Sequence, residues 1–189
     1  MIEPPSHAGA LFVAVDVHYL PDGVARAAMV GADERSFSRV TQTRTAMVRA
    51  GAPYKPGEFY LRELPPLRAV IQATRDLALI VIDGYVDLDP DGRPGLGAHV
   101  YAEFGAPVIG VAKTRFKTAT HAARVLRGQS SRPLYVTAAG MTVAEAASVV
   151  SEMAGQFRLP DALRLADRLA RGWCERQRLD RSGVPGVCP

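Results

Sequence analysis

Cysteine is nearly absent from this 189-residue chain: Cys174 and Cys188 are the only two, both close to the C-terminus. Neither has a nearby Cys or His, which excludes a thiolate metal site, and two thiols cannot build a disulfide framework. A reduced compartment is the expectation. Long apolar runs are also missing. Nothing approaches the roughly 20 residues a membrane helix needs. The opening "MIEPPSHAGA" lacks a basic segment followed by an apolar core, so no signal peptide is expected and a cytoplasmic location is. The sequence has no phosphate-cradling P-loop, no dinucleotide glycine pattern and no Ser-x-Gly elbow. "DLDPDGRPG" has the look of a calcium loop but lacks the closing acid at the twelfth position. His18, His99 and His121 stand alone and read as structural or surface residues. Internal repeats and low-complexity tracts are absent.

What is present is an ordinary globular composition, 48% hydrophobic and 22% charged, which suits one domain with a sizeable core. The net charge is +4, with a pI near 9.3. That mild excess, mostly arginine, is compatible with a nucleic-acid partner, because the guanidinium fork can hold two phosphate oxygens. It is equally compatible with a solubilising surface.

Along the chain, "LFVAVDVHYL" alternates as a strand, with Leu11, Val13, Val15 and Val17 on one face and Phe12, Ala14, Asp16 and His18 on the other. "PDG" reads as a tight turn, "VARAAMVGA" as a returning strand and "SFSRVTQTR" as a third, which makes an antiparallel meander. "APYKPGEFYLRE" packs prolines, glycine and three aromatics into a loop. "LRELPPLRAVIQAT" has helical spacing, with Pro65 and Pro66 expected to break it or start a new helix. "LALIVIDGYV", "APVIGVA" and "RPLYVTAAG" read as buried strands. "DLDPDGRPGLG" reads as a loop and "AHVYAEFG" as a short helix ended by Gly105. Thr142, three residues before Glu145, opens a helix with a capping box, and "LPDALRLADRLARG" makes another. Strands first as a meander, then alternating with helices, predict an α/β domain with a mixed sheet. Its expected limits are 11–172, after a lead-in over 1–10 and before a flexible tail over 173–189. Phe12, Val15, Ile80, Ile82 and Val108 are expected in the core, with Trp173 anchoring the last helix.

Three acids fall at informative places. Asp16 lies inside an apolar strand, Asp83 ends another, and Glu63 follows the aromatic loop. A carboxylate among β-branched residues is costly unless it is hydrogen-bonded, paired or bound to a cation. Acids gathered from strand ends can hold Mg²⁺, which prefers oxygen ligands. Each acid taken singly also reads as a turn or structural residue. Arg62 and Arg115 read either as phosphate contacts or as surface ion-pair partners.

Taken in order, "VAVDV", "RAAMV", "PYKPGEFYLRE", "LIVIDG", "GLGAH", "VIGVAK", "RPLYV" and "RLPDALRLAD" resemble the endonuclease V family, nucleases acting on deaminated purines. The resemblance spans about residues 12–170 and marks a short, divergent member. It implies an RNase H-like fold, a mixed five-stranded sheet flanked by helices. It implies hydrolysis of a phosphodiester 3′ to deoxyinosine or inosine, in DNA repair, with DNA and potentially RNA as partner and the protein acting as a monomer. Asp16, Glu63 and Asp83 match the family's metal-binding carboxylates, with Mg²⁺ as cofactor and Mn²⁺ as a substitute. Asp167 matches a further metal-side position, and Lys113 the lysine near the scissile phosphate. The loop is implied to be a wedge that fills the gap left by the rotated nucleotide. Tyr54 would be its aromatic, with Lys55 beside it. Gly57, Phe59, Gly84 and Leu96 would line the hypoxanthine pocket. Lys55 replaces an apolar residue, and "YVDLDPDGRPG" departs from the family pattern at Tyr85 and Asp89. These departures leave open a binding protein of the same fold that cuts weakly, or a nuclease preferring inosine-containing RNA or branched DNA.

Overall fold

A computed structural model describes residues 9–49 and 60–173. β1 (Leu11–Tyr19), β2 (Val24–Ala32) and β3 (Val40–Arg49) form the antiparallel meander. Helix α1 (Tyr60–Ile71) leads to β4 (Leu77–Asp83), then α2 (Leu96–Phe104) and β5 (Val108–Ala112). β6 (Ala123–Val125) and β7 (Leu134–Ala139) precede α3 (Val143–Glu152) and α4 (Asp161–Ala170).

The sheet has seven strands in the order β3-β2-β1-β4-β5-β7-β6, not five. β1, β4 and β5 run parallel at its centre, and β7 returns antiparallel against β5. β1 to β5 lie in the order β3-β2-β1-β4-β5, as in an RNase H-like sheet; β7, read as a strand from its sequence, and the short edge strand β6 extend it. Three residues give β6 no alternation to read, which is why it escapes detection in sequence.

Two apolar layers sandwich the sheet. Val13, Val15, Ile80 and Ile82 meet Leu67, Val70 and Ile71 of α1 and Val100 of α2. On the other face Ala14, Val81, Ile109 and Val136 meet Val149 and Val150 of α3 and Leu163 and Ala166 of α4. Val15, Ile80, Ile82 and Val108 are buried as expected, while Phe12 is half-buried against the core. Trp173 packs on the α4 side, with the Arg168 guanidinium 3.7 Å over its ring.

Three local expectations are corrected. Pro65 and Pro66 lie inside α1, which continues through them. Burial of Leu67, Val70 and Ile71 in the turns that follow holds the helix against the sheet and offsets the two missing N–H donors. β3 starts at Val40, because Phe37 takes a left-handed conformation (φ 54) and turns into the core instead of extending. α2 starts at Leu96, so Leu96 and Gly97 are helical. A Cβ on Gly97 would stand 2.9 Å from the Val86 Cα, so only glycine lets α2 pack so close to that backbone. The capping box is present: Glu145 N–H donates to Thr142 Oγ1 at 3.2 Å, and Thr142 N–H to Glu145 Oε2 at 2.9 Å. Among the described residues no helix is long and apolar enough to cross a membrane.

Candidate active site

The parallel pairing of β1 with β4 ends at Val15 and Ile82, while β1 runs on against β2 to Tyr19. Val15 pairs with Ile82 in register, so Asp16 and Asp83 emerge together at the C-terminal end of the sheet. Asp83 pairs in turn with Val111 of β5, and Lys113 follows two residues later. Ligand sites in open α/β sheets gather at this end. The helices complete the group from opposite faces. α1 brings Glu63 from one side, in its first turn, and α4 brings Asp167 from the other.

The electrostatics show that these groups share one site. Burial pushes the Asp16 carboxyl up to about 7, and the charges of Asp83 and then Asp167 add to it, against one hydrogen bond from Val17 N–H at 2.9 Å. Burial pushes Glu63 up to about 8, with the charge of Asp16 next in weight and that of Asp83 also raising it. Lys113 reaches in among them, donating to Asp83 Oδ2 at 2.5 Å. Burial pulls its pKa down, but the hydrogen bond and charge of Asp83 outweigh that, so the ammonium is held more firmly than usual. Asp167 Oδ1 accepts from Arg171 Nε at 2.9 Å, one turn along α4.

Sequence reading missed three supports. The Tyr19 hydroxyl is buried beside Glu63 without a well-formed hydrogen bond; burial, and then the Glu63 charge, push its pKa up. The Arg62 guanidinium lies 4.4 Å over the Tyr19 ring, a packing contact that neither of the two readings for Arg62 foresaw. Arg158 reaches from the segment before α4 and donates to the backbone carbonyls of Lys113 and Pro133, the latter at 2.7 Å. It fastens the turn that carries the lysine. A lone arginine ahead of a helix gives no sign of this in sequence. His99 stacks on Tyr60 at 3.6 Å between centroids, joining α2 to α1, a packing role as expected.

Gly84 has φ 144 and donates its N–H to Val111 O at 3.1 Å. Glycine is needed here, since L side chains rarely take this conformation. Gly110 lies beneath: a Cβ there would stand 2.7 Å from Gly84 O and 2.8 Å from Val86 N, where Val86 N–H now donates to Thr137 Oγ1 at 2.8 Å. The chain after Asp83 is thus seated directly on β5. Leu96 is half-buried at the start of α2. Tyr54, Lys55, Gly57 and Phe59, like Cys174, Cys188 and most of the expected lead-in and tail, lie outside the described residues.

Among the described residues no three His, Cys, Asp or Glu side chains converge as a ready-made metal cage. The donor chemistry nevertheless fits a hard divalent cation. All four candidate ligands are carboxylates, and two are pushed towards protonation by burial and by one another even with Lys113 on Asp83 and Arg171 on Asp167.

Comparison with known proteins gives a consistent result. The Endonuclease V family model matches residues 2–130. Endonuclease V of Azotobacter vinelandii is 33% identical over 183 residues, covering 85% of this chain and 81% of its own. The crystal structure of Endonuclease V from Streptomyces avermitilis superposes with a TM-score of 0.72 at 28% identity, covering 89% of this chain and 82% of that one. Ciona intestinalis Endonuclease V, solved in complex with DNA containing an inosine followed by a ribo-adenosine, superposes with a TM-score of 0.71 at 20% identity. The match covers 85% of this chain and 83% of that one.

Proposed function

The chain belongs to the endonuclease V family, and from that premise we propose that it hydrolyses a phosphodiester on the 3′ side of a deaminated purine in DNA. The observation that carries this reading is the gathering of Asp16, Glu63, Asp83 and Asp167 at one end of the sheet, where the charge of each of the other three bears on Asp16 or is felt from it.

Asp16, Glu63, Asp83 and Asp167 would hold the metal, Mg²⁺ or in its place Mn²⁺, both of which favour carboxylate oxygen. When bound, a divalent ion supplies positive charge opposite the phosphate and lowers the pKa of water. Lys113 contacts the scissile phosphate. Its reinforced charge serves that purpose, and Arg158 keeps its backbone in place. Tyr19 and Arg62 back the Glu63 carboxylate and limit where it can turn. Main chain at Gly84 and Leu96 would line the pocket for the rotated base; Gly57 and Phe59 are proposed for the same pocket, Tyr54 as the wedge aromatic and Lys55 for the flanking phosphates. Residues 54–59 directly precede α1 in the chain, and α1 carries Glu63 in its first turn, so lesion reading and cleavage would adjoin.

The test is cleavage of matched DNA and RNA strands, each with or without one inosine, in Mg²⁺ or EDTA. Metal-dependent cutting at a single position on the 3′ side of inosine is expected, DNA being the better substrate. Absence of any product from folded protein would sink the nuclease reading, and better cutting of RNA would reassign the substrate.

A further inference from the structure

Residues 113–132 contain six cations, Lys113, Arg115, Lys117, Arg124, Arg127 and Arg132, and no carboxylate. Buried Arg127 is spent on structure: it donates to the carbonyls of Met153, Gly155 and Phe157. Arg115, Lys117 and Arg124 are exposed, and none has a carboxylate partner among the described residues.

Two of these cations share an open cavity of about 250 Å³, lined by Arg115, Ala119, Thr120, Ala122, Arg124 and Tyr135. Its place follows from register. Tyr135 pairs with Ala112, the last residue of β5, and with Arg124 of β6. At about 4.8 Å per strand, Arg124 stands two strands and roughly 10 Å from the end of β5 that carries Lys113. That is a few nucleotides of strand away from the scissile position.

The cavity wall is held in place. The Tyr85 hydroxyl donates to Thr114 O at 2.8 Å and accepts from Phe116 N–H at 2.9 Å, pinning the backbone on both sides of Arg115. Thr118 Oγ1 donates to Leu88 O at 2.5 Å. Tyr85, a departure from the family pattern, thus ties the basic segment to the loop that follows Asp83. Of the acids of that loop, Asp89 is engaged with its own backbone, its Oδ1 accepting from the N–H of Asp91 at 3.1 Å and of Arg93 at 3.0 Å, and Asp87 lies near enough to His121 to feel its charge. Two guanidinium groups with a hydroxyl from Thr120 and a phenol from Tyr135 are donors that match phosphate oxygens.

We propose that Arg115, Arg124, Thr120 and Tyr135 form a second phosphate site, which takes a backbone phosphate of the nucleic acid a few nucleotides from the bond that is cut. The choice of a nucleic-acid strand as its ligand rests on the nuclease reading. The site is tested by fluorescence anisotropy of a lesion-free DNA duplex in EDTA across a salt series, with wild type, Arg124→Ala, Arg124→Lys and Arg115→Ala. Each alanine variant should weaken binding several-fold and lower the salt slope by about one. Arg124→Lys should keep the slope and lose part of the affinity. Unchanged affinity and slope in both alanine variants, with melting curves like wild type, would overturn the proposal. So would millimolar phosphate stabilising wild type but not Arg124→Ala while the duplex slope stays constant, since that describes a site for free phosphate. Because neither lesion nor metal is present, failure of inosine cleavage would count against the nuclease reading alone.

Discussion

Two neighbouring regions at one end of the sheet carry opposite charge. Beyond β1 and β4, Asp16, Glu63, Asp83 and Asp167 crowd together, with Lys113 on Asp83 and Arg171 on Asp167. Beside β5 and β6, exposed cations line a cavity with no carboxylate partner among the described residues. The difference lies in depth. Glu63 is 8% exposed, and its region's excess charge appears as carboxyl groups pushed up to about 7 and 8. Arg115 and Arg124 are solvated, so their excess costs the fold little. An unbalanced charge under cover destabilises the free protein until a cation arrives. An unbalanced charge in solvent is a means of attraction, felt in binding and in salt dependence. The acidic region should therefore report through stability and catalysis, and the basic one through affinity.

The largest break in this comparison should come from Asp83→Ala, which removes a central carboxylate and frees Lys113. Cleavage 3′ to inosine should fall by about 10³-fold, the loss of several kcal/mol of transition-state stabilisation. Single-turnover assays beside circular-dichroism melts check this, and full activity in the variant would refute the assignment.

A smaller effect belongs to pH. The folded pKa values of Asp16 and Glu63 lie above their ordinary values of 3.8 and 4.5. The fold therefore binds these protons more tightly than the unfolded chain does. Their contribution is fully present below about pH 4 and lost as pH rises through about 7 and 8. EDTA-treated protein should lose on the order of a few kcal/mol between pH 5 and 8.5. Mg²⁺ should restore it at the upper end, and Asp16→Asn should flatten the fall. Urea titrations at three pH values decide; a metal-free protein equally stable at all three contradicts the crowding of charge.

Arg127→Ala sharpens the contrast among the cations. It strands three carbonyls and should cost about 1–3 kcal/mol in urea unfolding. The salt slope for duplex binding should not change, unlike that of Arg124→Ala. The smallest effect is a control remote from both regions. Thr142→Ala removes the cap of α3 and should cost about 1 kcal/mol, near 2–4 °C in Tm, with cleavage unaltered.

Much of this was legible because it is local. The period-2 pattern of Leu11 to Tyr19, the apolar run ending at Asp83, and the Thr142–Glu145 pair each encode their element in adjacent residues. Asp16 and Asp83 stood out as acids in apolar strands, a cost that demands a reason. β6 was not legible, since three residues have no period, nor was the passage of α1 through Pro65 and Pro66, which depends on the burial of Leu67, Val70 and Ile71.

By itself, then, the sequence determined the strands and helices, the acids at strand ends, and the family whose ordered motifs it shares. Tertiary structure alone decided that Glu63 and Asp167 reach Asp16 from opposite faces of the sheet, that Arg158 fastens the Lys113 turn, and that Tyr85 pins the wall of an arginine cavity. The physical reason is range. Propensity and periodicity act over a few neighbouring residues, whereas charge and hydrogen bonding act across space, between residues up to about 150 apart in the chain that meet only once the sheet has closed.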